Sequence, residues 1–283
     1  MHSDTQAGIE AALRCRLTPI THDQGPHKNT HYKGATADNT ALFVKVIDDH
    51  PSYYTAEIRA QHHLQASGIP TPHLVDHGVL DDKRRWLAYK WHELKPFAPS
   101  PDHIARAGRL LGDLHAATSE IQDDQLRRYA DVCELIADKI ALIARFDPPL
   151  SDRVQKISDR LLTHGHTTVS GGTVCLLHGD MGWRNLHMDH RDQMWLLDFE
   201  HAAIGHPLLD FAKLWDRELH APEDREAFLR GYSQSEAGRV GHNEIDAVRL
   251  WAAAGIFPYA RPREDHDFER HAYAILDRLE HLG

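Results

Sequence analysis

Cysteine, long apolar runs and positive charge are all scarce in this 283-residue chain. Cys15, Cys133 and Cys175 are an odd set with no C-x-x-C pair, which argues against a disulfide framework and for a reducing compartment, the cytoplasm. Cys175 lies inside an apolar run and reads as core. No stretch reaches the ~18 apolar residues of a membrane span. Met1 to Gln6 has neither the basic region nor the apolar segment of an export signal, so a soluble, unexported chain is expected. Lys and Arg total 32 against 42 Asp and Glu, a formal net charge of −10. That balance argues against nucleic acid or an anionic membrane as partner. It suits a cationic ligand, although acidic surfaces also serve solubility alone. Repeats and low-complexity tracts are absent, and so is any G-x-G-x-x-G. Histidine is abundant, at 24 residues. None of these histidines falls in a His-Glu-x-x-His spacing or beside a cysteine partner, so structural zinc is not expected.

The densest chemistry lies between Thr173 and Glu200. Val174 to Leu177 is a buried-strand pattern that ends in His178-Gly179-Asp180. Asn185 follows, and a second apolar run, Met194 to Leu197, delivers Asp198-Phe199-Glu200. Two acids and an amide are thereby expected at one end of a small hairpin. A single Asp after a strand is ordinarily a turn or cap. The combination is what phosphoryl transfer requires: Asp180 to receive an acceptor hydroxyl, and Asn185 with Asp198 as hard oxygen ligands for Mg²⁺ on nucleotide phosphates. Glu200, two residues past Asp198, would face the same side on a strand and either assists the metal or meets substrate.

Upstream, Ala41 to Ile47 is an apolar run interrupted by Lys45. A lysine in such a strand needs an anion, because desolvating an unpaired ammonium is costly. Glu57, Gln61 and Leu64 share one face of the following helix, whose cap is placed at Ser52, and Glu57 can reach Lys45. A strand lysine followed by a helical glutamate is the pair that holds a lysine against α and β phosphates; the plain alternative is a surface lysine on an edge strand.

The H-x-D-x-x-x-x-N spacing followed by D-F-E resembles the aminoglycoside phosphotransferase and choline kinase family, whose motifs read H-G-D-x-x-x-x-N and D-[FY]-[ED]. The resemblance implies a two-lobed, protein-kinase-like α+β fold. Residues 1–91 would form an N-lobe with a five-stranded antiparallel sheet, and residues 92–283 a mostly helical C-lobe carrying the catalytic hairpin and acceptor site. It implies ATP and Mg²⁺ as cofactors and a small-molecule hydroxyl acceptor. Asp210 stands where the family's D-x-A aspartate supports the catalytic loop, or else is a first-turn Asp favoured by the helix dipole.

The remaining sequence fits that frame. Strands are expected at Cys15–Ile20, His31–Ala35, Ala41–Ile47, Leu74–Leu80 and Trp86–Tyr89. The polar segment from Thr21 to Thr30 is either a phosphate-covering loop or an ordinary hairpin connection. Tyr89 to His92 would be the hinge, with backbone groups at Tyr89 and Trp91 facing a purine edge. Ser100-Pro101 is a helix start, and His115 near that helix's end reads as packed. Helices are expected over 123–146 and 151–164 with Pro148-Pro149 as the break, then over 221–236 and 243–281 with interruptions at Gly255, Pro258 and Pro262. The acceptor expected first is a cationic antibiotic such as an aminoglycoside, met by acids among Glu200, Asp210, Asp216, Glu218, Glu223, Asp224, Glu264, Asp265 and Asp267. Choline, ethanolamine, homoserine or a sugar are the metabolic alternatives. A nucleotide-binding pseudokinase is disfavoured, because every catalytic position is filled.

Overall fold

The computed structural model describes residues 2–20, 29–47, 51–80, 83–129, 131–163 and 173–281. The chain divides into two compact units, Met1–Phe97 with Arg184–Ala202, and Ala98–Trp183 with Ala203–Gly283.

The first unit is built on a five-stranded antiparallel sheet. Its strands are β1 (Arg16–Pro19), β2 (Thr30–Ala35), β3 (Ala41–Ile47), β4 (Leu74–Val79) and β5 (Arg85–Lys90), in the order β1-β2-β3-β5-β4. The period-2 alternation of β3 divides its side chains between two cores. Leu42, Val44 and Val46 pack with Tyr32, Trp86 and Ala88 under helix α1 (His2–Leu13), which contributes Ile9. Ile47, Leu87 and Tyr89 line the other face with Tyr53, Tyr54 and Ile58 of helix α2 (Pro51–Leu64). Lys45 shares the α2 face by the same alternation, so strand register alone aims it at the helix.

Helix α1 was not anticipated. Ile9 and Leu13 are its only large apolar side chains packed on the sheet, too sparse a stripe to announce a helix. Helix α2 buries Glu57, Gln61 and Leu64 as the spacing predicts, but it begins at Pro51, which places Ser52 within the helix rather than at its cap. Most of the Thr21–Thr30 segment, the turn residues Asp81 and Asp82, and Ser170 to Gly172 lie outside the described residues.

A second, three-stranded sheet completes this unit: β6 (Lys95–Pro96), β9 (Leu186–Met188) and β10 (Met194–Leu196), in the order β10-β9-β6. The expectation of a single hairpin from Val174–Leu177 and Met194–Leu197 is corrected here. Strand β8 (Cys175–Leu177) belongs to the second unit and pairs with β11 (Ala203–Gly205), which also runs parallel to β7 (Arg127–Arg128). The partner of β10 is β9, a three-residue strand too short to stand out, and the turn between them is tied by Asp189, whose Oδ1 accepts from the N–H groups of Arg191 and Gln193.

The second unit is otherwise helical: α3 (Pro101–Ala117), α4 (Val132–Ala144), α5 (Pro148–Thr163), α6 (Phe211–Arg217), α7 (Pro222–Tyr232), α8 (His242–Ala260) and α9 (His266–Glu280). Ser100 caps α3 as expected, accepting from His103 N–H at 3.2 Å. Residues 123–129 are not helical, and Asp131 is the cap of α4. Pro148 and Pro149 open α5 instead of breaking the chain, since a first-turn proline gives up no helical hydrogen bond. Helix α8 runs through both Gly255 and Pro258, and the break falls at the 3-10 turn Arg261–Arg263. Helices α3 and α7 cross with backbones nearly touching: a Cβ on Gly231 would lie 1.8 Å from the carbonyl oxygen of Ala105, and one on Gly108 would lie 2.0 Å from that of Phe228.

Candidate active site

In the first unit Lys45 is the centre of an ionic cluster. Its Nζ lies 2.8 Å from Glu57 Oε2, 2.6 Å from Asp198 Oδ1 and 3.0 Å from Glu200 Oε2. The lysine and Glu57 side chains are only 6% and 4% exposed, whereas Asp198 is 37% exposed. Burial works against the lysine charge, but Glu57, Asp198 and Glu200 together outweigh it and hold its pKa above the ordinary lysine range. Burial pushes the Glu57 carboxyl up, against the opposing pull of Lys45. Glu57 is held from its other side by Tyr89, whose phenol donates to Oε1 at 2.6 Å. Glu200 Oε2 also accepts from the Asn29 amide at 3.2 Å.

Asp198 has a positive φ of 67°, a left-handed conformation that Asp tolerates better than most residues. Asn185, buried at the end of a 3-10 turn, receives the N–H of Leu197 on its backbone carbonyl at 2.9 Å, so the amide residue and the residue preceding Asp198 are joined directly. Carboxylate oxygens of Glu57, Asp198 and Glu200 lie within 4.8 Å of one another. The Asp198 carboxylate and the Asn185 amide are hard oxygen donors of the kind a divalent ion takes, with Glu200 beside them, so the residues fit one.

Strand β5 ends at Lys90, and the N–H of Trp91 donates to Ala41 O at 2.9 Å. The Trp91 ring lies under the Lys33 ammonium at 4.1 Å, and among the described residues its indole N–H is buried without a hydrogen-bond partner.

In the second unit Asp180 follows Gly179, whose φ of 76° suits glycine. The loop is fixed by Asp210. Its Oδ2 accepts from His178 N–H at 2.8 Å, and its Oδ1 accepts from Gly179 N–H at 2.7 Å. Asp210 is fully buried, which by itself would raise its pKa. The His115 bond and charge, with the Gly179 N–H, reverse that and hold the carboxyl below its ordinary value. His115 Nε2 meets Asp210 Oδ2 at 3.0 Å, while its Nδ1 meets the Tyr232 hydroxyl at 2.9 Å. His115 thus bridges the Asp210 carboxylate, to which Nε2 donates, and the Tyr232 hydroxyl. Asp180 is buried, and its Oδ1 lies 3.4 Å from Lys213 Nζ and 3.5 Å from Arg217 Nη1.

The sequence pairs Lys45 with Glu57 and sets Glu200 beside Asp198; in the structure all four side chains meet at the Lys45 ammonium. It had set Asp210 against the catalytic loop, where the structure also places it. It did not foresee the side-chain bond from Tyr89 to Glu57, the His115–Tyr232 extension, or the two cations beside Asp180. The available signal for those cations was the basic pair Lys213 and Arg217 at i, i+4, directly after Asp210.

Solved structures similar to this chain include small-molecule kinases. Choline kinase LicA from Streptococcus pneumoniae is 17% identical, with 98% of this chain and 99% of that one covered at a TM-score of 0.69. A thermostable mutant of aminoglycoside phosphotransferase APH(4)-Ia, in a ternary complex with ADP and hygromycin B, is 14% identical over 99% of each chain, TM-score 0.70. Amicoumacin kinase hAmiN, in complex with AMP-PNP, Ca²⁺ and Ami, is 15% identical over 98% of this chain and 96% of that one, TM-score 0.63. No curated protein matches the sequence significantly. The fold is therefore the two-lobed, protein-kinase-like α+β fold. Residues 24–242 match the model of the phosphotransferase enzyme family, and the chain belongs to that family as a small-molecule phosphotransferase.

Proposed function

We propose that the chain transfers the γ-phosphoryl group of ATP to a hydroxyl of a small molecule with Mg²⁺ as the metal. The observation that carries this reading is the Lys45 cluster, in which one buried ammonium is held by Glu57 and shared with Asp198 and Glu200. Lys45, kept charged and oriented by Glu57, would hold the α and β phosphates. Asn185 and Asp198 would hold the metal, which supplies neutralisation of charge on the phosphate oxygens. Asp180 would orient the acceptor hydroxyl and take its proton as the oxygen–phosphorus bond forms and the bond from phosphorus to the departing ADP oxygen breaks. Asp210 would keep the His178-Gly179-Asp180 loop in place. The hinge residues Tyr89 and Trp91 would flank the base; because the Trp91 N–H is engaged by Ala41, a purine edge there would have to meet carbonyl groups or the free indole N–H.

An antibiotic acceptor is supported by the similar proteins that carry hygromycin B and amicoumacin, and by the acidic balance of the chain. The metabolic alternative is favoured by a specific observation: several of the acids considered for a cationic pocket already have cationic partners. Asp216 is bound by Arg249 at 2.7 Å and by Arg278 at 3.0 Å, Glu218 by Arg217 at 3.1 Å, and Glu200 by Lys45. A melting-curve screen with Mg-ADP alone, followed by Mg-ATP turnover against aminoglycosides, amino alcohols, hydroxy acids and sugars, tests the reading. Absence of any stabilisation by Mg-ADP would refute it.

A further inference from the structure

The two cations beside Asp180 are a puzzle if the acceptor is a polyamine. An amine near the hydroxyl presented to Asp180 would be repelled by both. Their placement is nevertheless built in. Lys213 and Arg217 stand one turn apart on α6, and Arg217 is anchored by donating to Met181 O at 2.8 Å and Glu218 Oε1 at 3.1 Å. Gly182 makes room for it, since a Cβ there would lie 2.2 Å from Arg217 Nη2. Lys213 is different. Its side chain is 52% exposed, and its contacts to Gly179 O and Asp180 Oδ1 are both 3.4 Å, well beyond the ~2.7–2.9 Å of a formed charge-assisted hydrogen bond. An ammonium is held next to the base without being consumed by it.

We propose that Lys213 and Arg217 form a subsite for an anionic substituent of the acceptor, a carboxylate or phosphate close to the hydroxyl presented to Asp180. This rests on the phosphotransfer reading. The anion is assigned to the acceptor because the residue beside these cations, Asp180, is the one proposed to meet the acceptor hydroxyl. Lys213 and Arg217 share the second unit, and the same loop contacts, with Asp180. Once bound, the anion would draw Lys213 off Asp180, leaving the carboxylate to the hydroxyl proton.

The experiment uses acceptor series that vary the charge of one substituent: D-glucuronate, D-glucose and 6-amino-6-deoxy-D-glucose, and D-glycerate, glycerol and 3-amino-1,2-propanediol. In the series that turns over, kcat/KM should fall from anion to neutral to cation. Lys213→Glu should shift the anion-to-cation ratio by about tenfold or more through like-charge repulsion, and Lys213→Arg should retain it. A ratio unmoved by Lys213→Glu, or a wild-type preference for the amine, overturns the proposal. A second measurement needs no turnover: acetylation of Lys213, followed by mass spectrometry with Mg-AMP-PNP filling the nucleotide site and its γ position, should slow severalfold on addition of inorganic phosphate and not of choline. No slowing by phosphate overturns the subsite as well. The melting shift with Mg-ADP separates the two claims, because its presence with a negative Lys213 result removes the subsite alone, and its absence removes the phosphotransfer reading.

Discussion

Tyr89→Phe removes one oxygen and should be felt in two measurements. In the structure the Tyr89 hydroxyl donates to Glu57 Oε1 at 2.6 Å, within the ~2.5–2.7 Å of a hydrogen bond to an ionised oxygen, and both residues are buried. A bond of this kind contributes about 1.5–3 kcal/mol, and its loss leaves a buried carboxylate oxygen without its donor. Taking about 2 kcal/mol, and a shift of about 2–4 °C per kcal/mol for a chain approaching this size, the melting temperature should fall by about 4–8 °C. Glu57 would then be free to turn away from Lys45, and the KM for ATP should rise about fivefold if about 1 kcal/mol of lysine positioning is lost. The assay is a melting curve beside a nucleotide titration, extended to the Tyr89→Phe, Glu57→Gln cycle, where the coupling energy should be about 1–2 kcal/mol. If the hinge uses only the backbone at residue 89, Phe changes nothing. A variant that melts within about 1 °C of wild type with an unchanged KM would refute the side-chain argument.

Lys45→Met leaves Glu57, Asp198 and Glu200 facing one another and should cost about 3–5 kcal/mol in the absence of metal; millimolar Mg²⁺ or Ca²⁺ should recover more melting temperature in the variant than in wild type, and no recovery would remove the three acids as cation ligands. Asp180→Asn should lower turnover by at least ~10²-fold while Mg-ADP binding by calorimetry stays within a few-fold; near-normal turnover would displace Asp180 from the chemistry. The depressed pKa of Asp210 means that its contribution to stability is present above its unfolded value of about 3.9 and is lost as pH falls through the folded value. The melting-temperature gap between wild type and Asp210→Asn should therefore narrow as pH is lowered from about 5, and a gap independent of pH would contradict this. Gly231→Ala should destabilise the protein by about 1–3 kcal/mol or more in urea titrations, because the added methyl meets Ala105 backbone at the helix crossing; a silent substitution would mean that the crossing is loose.

What was legible in the sequence was what local pattern encodes. The apolar run Ala41–Ile47 marks a strand with Lys45 inside it, and a helical face carries Glu57 toward the lysine. The H-x-D-x-x-x-x-N and D-F-E motifs, with the family resemblance they carry, single out Asp180, Asn185 and Asp198 as candidates. The missed features depend on distance along the chain or on weak elements. Tyr89 reaches Glu57 across 32 positions, and Tyr232 reaches His115 across 117, which no window detects. Strand β9 is three residues long, so β10 was assigned the wrong partner. Proline was read as a breaker at residues 148 and 258, whereas position within a helix decides its effect: at the start of α5 it is favourable, and in α8 packing carries the helix through it.

The glycine crossing of α3 and α7 bears on how such an enzyme can change its substrate. His115 lies two turns beyond Gly108 on one helix, and Tyr232 directly follows Gly231 on the other, so the chain of contacts from Tyr232 through His115 and Asp210 to the His178-Gly179 amides starts from two backbones in near contact. Backbone against backbone has no rotamers to adjust. The crossing thus acts as a fixed mechanical datum for the loop that presents Asp180. On the proposed reading, substitutions at exposed positions of α6, such as Lys213, would alter the charge beside Asp180 while its loop stays where the crossing holds it.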